Sequence, residues 1–145
     1  MKNNVSFCLG CALVLLSLAA FCLQAGRTLA QNQDGQVIQT INVTAEKYQY
    51  SPAPIHAKAG AKIQLKITAT DHDHGLKIDT LPDGTAPGGT PGLILASAQD
   101  CWQLKKGETT TIEFLAQTRS TYTFRCCHLC GLGHKGMKGQ IVVDP

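Results

Sequence analysis

From Val37 onward, apolar and polar residues alternate in short runs rich in Ile, Val, Thr and Tyr, and Gly or Pro interrupts each run. Alternation with a period of two puts successive side chains on opposite faces of a strand. The clearest case is residues 62–70, where Ile63, Leu65 and Ile67 point one way and Lys62, Gln64, Lys66 and Thr68 the other. One face is core and the other is solvent. Residues 38–48 read as a first strand with Ile41 and Val43 on one face; Ser51-Pro52-Ala53-Pro54 breaks it, residues 55–57 start a short second one, and Ala59-Gly60 turns the chain. Residues 75–78, 109–114, 121–126 and 140–143 supply further strands, with a turn at Lys106-Gly107. The Pro- and Gly-rich residues 81–91 read as an exposed loop, and residues 93–98 fit a short helix or a strand equally well. No long helical periodicity and no repeat interrupts this scheme. It predicts one all-β domain over residues 37–145, a sandwich or barrel of about seven to eight strands.

Residues 1–30 read differently. Lys2 gives a positive start, residues 7–23 are almost unbroken apolar sequence, and small residues follow near Ala25 and Ala30. This is the pattern of a secretory signal, with cleavage expected between Ala30 and Gln31 and a polar linker over residues 31–36. An uncleaved anchor is the competing expectation, because residues 5–23 reach the length that a spanning helix needs, roughly 17 to 25 residues. Cys22, preceded by the bulky Phe21, and Cys11, too early in the apolar run, are poor candidates for a lipid-modified cysteine. With either the signal or the anchor the domain is expected outside the cytoplasm, periplasmic or extracellular, and it meets the membrane only if the N-terminal segment is retained.

Removal of that segment takes Lys2 and Arg27 with it and leaves 11 basic against 10 acidic side chains. So small a net charge gives no reason to expect a nucleic-acid partner. Cys8, Cys11 and Cys22 leave as well, so the mature domain keeps Cys101, Cys126, Cys127 and Cys130. Secreted domains usually spread their cysteines to staple distant segments. Crowding Cys126, Cys127 and Cys130 together suits metal binding better.

Those cysteines stand in Cys126-Cys127-His128-Leu129-Cys130-Gly131-Leu132-Gly133-His134-Lys135-Gly136-Met137, between the penultimate and the final strand. Thiolates and thioethers are soft ligands that favour Cu(I), and imidazole suits both copper oxidation states. A rigid sandwich can hold such a loop in a fixed shape. A further ligand is expected from Asp71-His72-Asp73-His74-Gly75, at the end of the clearest strand, with His74 preferred to His72. Asp71 and Asp73 read as turn formers, and His72 as a solvated loop residue or a neighbour of the site.

The spacing Cys-x3-Cys-Gly-x2-His-x2-Met, with an upstream Asp-x2-His-Gly, resembles the CuA domain of cytochrome c oxidase subunit II and of nitrous oxide reductase, over roughly residues 37–145. The resemblance implies a cupredoxin-like Greek-key sandwich holding two copper ions. It makes Cys126 and Cys130 bridging thiolates, His74 and His134 terminal imidazoles, Met137 a weak thioether ligand and His128 a ligand through its backbone carbonyl. It also implies an electron carrier rather than a bond-making enzyme, with a c-type cytochrome or another redox protein as donor and a terminal oxidase or reductase as acceptor. The chain departs from that pattern in three respects. The oxidase subunit has a transmembrane helix pair ahead of the domain with no counterpart here, so a free-standing domain is expected. His128 stands where respiratory oxidases usually carry Glu. Cys127 is an added thiol, expected to face away from the metal because neighbours on an extended strand point to opposite faces.

Other readings of the same residues are weaker or remain open. Zinc also takes Cys and His, but structural zinc has no use for Met137. Cys127 to Cys130 is a Cys-x-x-Cys pair, yet no βαβ pattern surrounds it, and Gly131 occupies the position where haem attachment needs His. A mononuclear type 1 site with one copper on His74, Cys130, His134 and Met137 is permitted by the spacing, and so is a copper chaperone or storage protein using the same donors. His56 reads as exposed, Trp102 as core or rim packing, and pairing of Cys101 with Cys127 depends on geometry.

Overall fold

The computed structural model describes residues 35–145; the segment read as a secretory signal or anchor lies outside the described residues. The strands are β1 (Ile38–Glu46), β2 (Gln49–Ser51), β3 (Ile55–Lys58), β4 (Lys62–Ala69), β5 (His74–Ile78), β6 (Leu93–Leu95), β7 (Trp102–Leu104), β8 (Thr109–Ala116), β9 (Thr121–Arg125) and β10 (Lys138–Asp144). They form two five-stranded sheets, ordered β2-β1-β4-β8-β6 and β3-β10-β9-β5-β7. Neighbours run antiparallel except β1 with β4 and β10 with β3, which are parallel. Among the described residues no helix is long and apolar enough to cross a membrane.

The alternation read from the sequence is the reason for the two-layer form. Every second residue of β4 is buried: Ile63, Leu65, Ile67 and Ala69. In the antiparallel register with β8, Ile63 lies beside Phe114 and Leu65 beside Ile112, so both strands present one continuous apolar face. The second sheet answers with Tyr122 and Phe124 from β9 and Ile141 and Val143 from β10, all buried. Each large side chain fully removed from water contributes roughly 1.5–3 kcal/mol, and these residues form one shared core.

The structure has more strands than the sequence pattern suggests, and the difference lies in the short ones. β2, β6 and β7 are three residues each, too short to show a period. The strand expected to run to Tyr48 ends at Glu46, and the chain folds back so that Glu46 pairs with Gln49. The ambiguous segment after Gly92 becomes β6, because Leu93 to Leu95 find open backbone partners on β8.

The connectivity that matters for the site is the antiparallel pairing of β5 with β9, Lys77 opposite Arg125. It brings the start of β5, at His74, next to the end of β9, where the cysteine-rich loop begins. Both candidate ligand segments therefore meet at one end of the sandwich.

Candidate metal centre

His74 opens β5 and is fully buried, at 0% exposure. A buried imidazole needs partners for its ring nitrogens. Its Nε2 lies 2.8 Å from Asp71 Oδ1, in the turn just before it. The carboxyl of Asp71 is raised by burial, but hydrogen bonds from His74 and from the Lys47 and His72 backbone amides outweigh that and hold it well below the usual carboxylate range. An ionised carboxylate only accepts, so the His74 ring proton belongs on Nε2. That leaves the lone pair of Nδ1 free, and Nδ1 is buried without any hydrogen-bond partner. An oriented imidazole with a carboxylate behind it is the usual support of a metal-ligating histidine.

The loop from β9 to β10 contributes the remaining donors. Cys126 and Cys130 are both free and buried, and their sulfurs are 3.5 Å apart. The Met137 sulfur, also buried, lies 3.9 Å from Cys130 Sγ. Cys126 Sγ donates to the backbone carbonyl of His128 at 3.2 Å, which places that oxygen at the sulfur pair. The donor atoms of Cys126, Cys130 and His134 fall within 4.8 Å of one another, and so do those of His72, His74 and Cys130. The Nδ1 atoms of His134 and His72, like that of His74, are buried and unpartnered. The six residues singled out in the sequence, His74, Cys126, His128, Cys130, His134 and Met137, thus converge on one locus.

Local bonding explains the loop's shape. Cys126 N–H donates to Met137 O at 2.9 Å and closes the base, and a short 3-10 turn, His134–Gly136, carries the histidine. Tyr48 packs closely against Gly131 and Gly133: a Cβ on Gly133 would fall 2.1 Å from a Tyr48 ring carbon, and Gly131 has φ +125°. Only glycines allow this approach. Tyr50 forms an inner wall, its hydroxyl donating to Gly75 O at 2.6 Å; burial first, and then Cys126 beside it, push its phenol above the ordinary value. Burial, then the neighbouring Cys126, push the Cys130 thiol up to about 11.

Residues outside the expected set also take part. Asp71, read as a turn former, is the partner that orients His74. His72 is half-buried rather than solvated: its ring stands 4.2 Å from that of His74, and its Nε2 donates to Cys130 O at 2.8 Å. Asp73 keeps the structural role expected of it, binding Lys105 Nζ and Lys106 N–H. Cys127 forms a disulfide with Cys101, and Trp102 is core. His56 is exposed and pairs with Asp144. No local pattern marks Tyr48 or Tyr50, while the pairing of Cys101 with Cys127, which the sequence left to geometry, is the one formed.

The donor set fits a soft, thiolate-binding metal. Two orphaned imidazole nitrogens, on His74 and His134, converge with two thiols, a thioether and a carbonyl oxygen where water is largely excluded, and a thioether among them favours copper over zinc.

Comparison with known proteins agrees with this chemistry. A family model described as a cupredoxin-like domain matches residues 12–143. Two cytochrome c oxidase subunit 2 sequences of Thermus thermophilus are each 32% identical over 111 residues, 77% of this chain. The chain spans 70% of the length of one and 56% of the other. Among solved structures, dithionite-reduced auracyanin from Roseiflexus castenholzii superposes with a TM-score of 0.52 at 23% identity, covering 73% of this chain and 97% of that one, a likeness of fold.

Proposed function

The chain belongs to the cupredoxin-like family, and from that premise we propose that it is an exported carrier of single electrons with a binuclear copper centre of the CuA type. The observation that carries the binuclear reading is the pair of buried free thiols 3.5 Å apart, since a mononuclear type 1 site needs only one thiolate. In this reading Cys126, Cys130, His74 and His134 through Nδ1, Met137 and the carbonyl oxygen of His128 would hold the copper, with both thiolates shared between the two ions. Copper bound there supplies a reversible one-electron couple.

The chain's own part is to keep the donors still. Asp71 fixes the His74 ring, the Cys126 to Met137 bond fixes the loop base, and the sandwich behind them is close-packed. Donors held in one arrangement change little between oxidation states, which lowers the reorganisation accompanying each transfer. Burial of Cys126, Cys130, His74 and Met137 keeps bulk water from the sulfurs.

Electron exchange takes place at the loop end. Leu129 and Leu132, exposed at 85% and 105%, project from the ligand loop and offer a small apolar contact face beside the donors. Kinship with an oxidase subunit supports redox partners of the respiratory kind, a c-type cytochrome as donor and a terminal oxidase or reductase as acceptor. The periplasm or the cell exterior is the location that suits such partners and the N-terminal signal pattern.

Copper titration of the metal-free domain tests this reading. Binding of two copper ions per chain, falling to one or none with Cys126→Ser, is expected. One copper per chain, unaffected by Cys126→Ser, would establish the mononuclear site instead, and copper that passes freely to a chelator without a reversible redox step would favour a chaperone.

A further inference from the structure

The two ligand segments are held together by more than the β5–β9 ladder. Outside the strands, backbone hydrogen bonds reach Cys126 and Gly131 of the loop, but none of the four residues between them, among the described residues. Those four include His128, whose carbonyl faces the sulfur pair, and Cys130 itself. Besides contacts within the ligand loop itself, two side-chain attachments hold this stretch: the His72 ring at Cys130 O, and the disulfide from Cys127 to Cys101.

The disulfide sits at the centre of the arrangement. Cys101 immediately precedes β7, and β7 pairs with β5 so that Leu104 lies opposite His74 and Gln103 opposite Gly75. The bond packs directly over Gly75: a Cβ there would meet Cys127 Sγ at 2.8 Å, His128 N at 2.9 Å and Cys101 Sγ at 3.0 Å. Gly75 follows His74, and its carbonyl is fixed by Tyr50. One cross-link therefore packs on the backbone beside His74 and is anchored at the residue after Cys126, and the same glycine lies against the amide of His128.

We propose that the Cys101–Cys127 disulfide, seated on Gly75, is a positioning clamp for the metal loop: it holds Cys126 and His128 in register with His74, beyond its general contribution to stability. Resting on the metal reading for its purpose, it makes a claim about the metal-free protein as well. Without the clamp, residues 127–130 open locally, and the two buried thiols become accessible while the sandwich stays folded.

The test is the alkylation rate of Cys126 and Cys130 in the metal-free domain, followed by mass spectrometry, together with the visible and paramagnetic resonance spectra after copper loading. In Cys101→Ser/Cys127→Ser the alkylation rate is expected to rise on the order of tenfold or more, as local opening predicts, and the copper spectra to shift. Gly75→Ala, which keeps both cysteines but crowds the clamp, is expected to move the same readouts in the same direction, and it decides the matter if the double variant does not fold. A core variant of matched melting temperature, such as Leu65→Ala, should leave the loop readouts unchanged. A lowered melting temperature with wild-type alkylation and wild-type spectra would overturn the clamp and leave an ordinary staple. If the wild-type domain binds no copper, the metal reading falls, whereas the alkylation comparison still decides the clamp.

Discussion

Strand β4 and the ligand loop obey opposite rules. In β4 the apolar side chains are inside and the polar ones outside, residue by residue. In the loop two leucines, Leu129 and Leu132, stand in solvent, while the buried positions are taken by Cys126, Cys130 and Met137, packed against the buried His74. Burying polar groups is unfavourable unless they find partners, and here the Nδ1 atoms of His74 and His134 have none. Stability is generated in the sandwich and expended at its end, where a rigid frame holds donors in an arrangement that protein contacts alone leave unsatisfied. In the proposed function a bound metal would complete the loop in the way that neighbouring apolar side chains complete β4.

That contrast can be broken at either end. The largest effect on folding is expected in the sandwich: Leu65→Ala should destabilise the metal-free domain by about 2–5 kcal/mol in denaturant unfolding, and leave the copper spectra of the folded protein unchanged. Next is removal of the Cys101–Cys127 bond, which spans 26 residues; loop-closure entropy puts the loss at roughly 3–4 kcal/mol. Copper itself comes third. At a free concentration a hundred times its dissociation constant, a ligand specific for the native state adds about 2.7 kcal/mol, so loading should raise the melting temperature, and Cys130→Ser should abolish most of the rise. Asp71→Ala touches no donor atom directly but frees the His74 ring; metal affinity is expected to fall about 10- to 100-fold, and metal-free stability to fall by about 1–3 kcal/mol because the buried His74 ring and the Lys47 and His72 amides lose their acceptor. The smallest stability change belongs to Leu129→Ser and Leu132→Ser, within about 0.5 kcal/mol. Their effect should appear in the rate of electron exchange with a partner protein, measured by stopped flow.

The same contrast explains what can be read from the sequence. β4, β8, β9 and β10 are legible because half-buried strands write a period of two into the chain, and Ile63, Leu65, Ile67, Ile112, Phe114, Tyr122, Phe124, Ile141 and Val143 all occupy core positions. The three-residue strands are not legible, since they exist through pairing with β1, β8 and β5 rather than through any pattern of their own. Five of the six converging residues lie within residues 126–137, where soft donors at short spacing announce themselves; His74 can be found because a histidine-bearing turn closes the clearest strand. The parts that stay hidden depend on tertiary proximity. The His72 ring reaches Cys130 across 58 residues, Tyr48 lies on Gly131 and Gly133 only because the β1–β2 turn is folded beside the loop, and the Cys101–Cys127 pairing could be named from the sequence but only the fold decides it. Asp71 reads as a mere turn former because an aspartate that caps a turn and one that orients an imidazole carry the same local signature.

The central claim is that the two thiolates share a pair of copper ions, and the electron paramagnetic resonance spectrum of the copper-loaded, partly oxidised domain tests it most directly. Hyperfine splitting counts the nuclei over which the unpaired electron is spread. Splitting by two equivalent copper nuclei, lost on Cys126→Ser, is the predicted result. Splitting by a single nucleus, retained in Cys126→Ser, would contradict the bridging roles of Cys126 and Cys130 and make the site mononuclear.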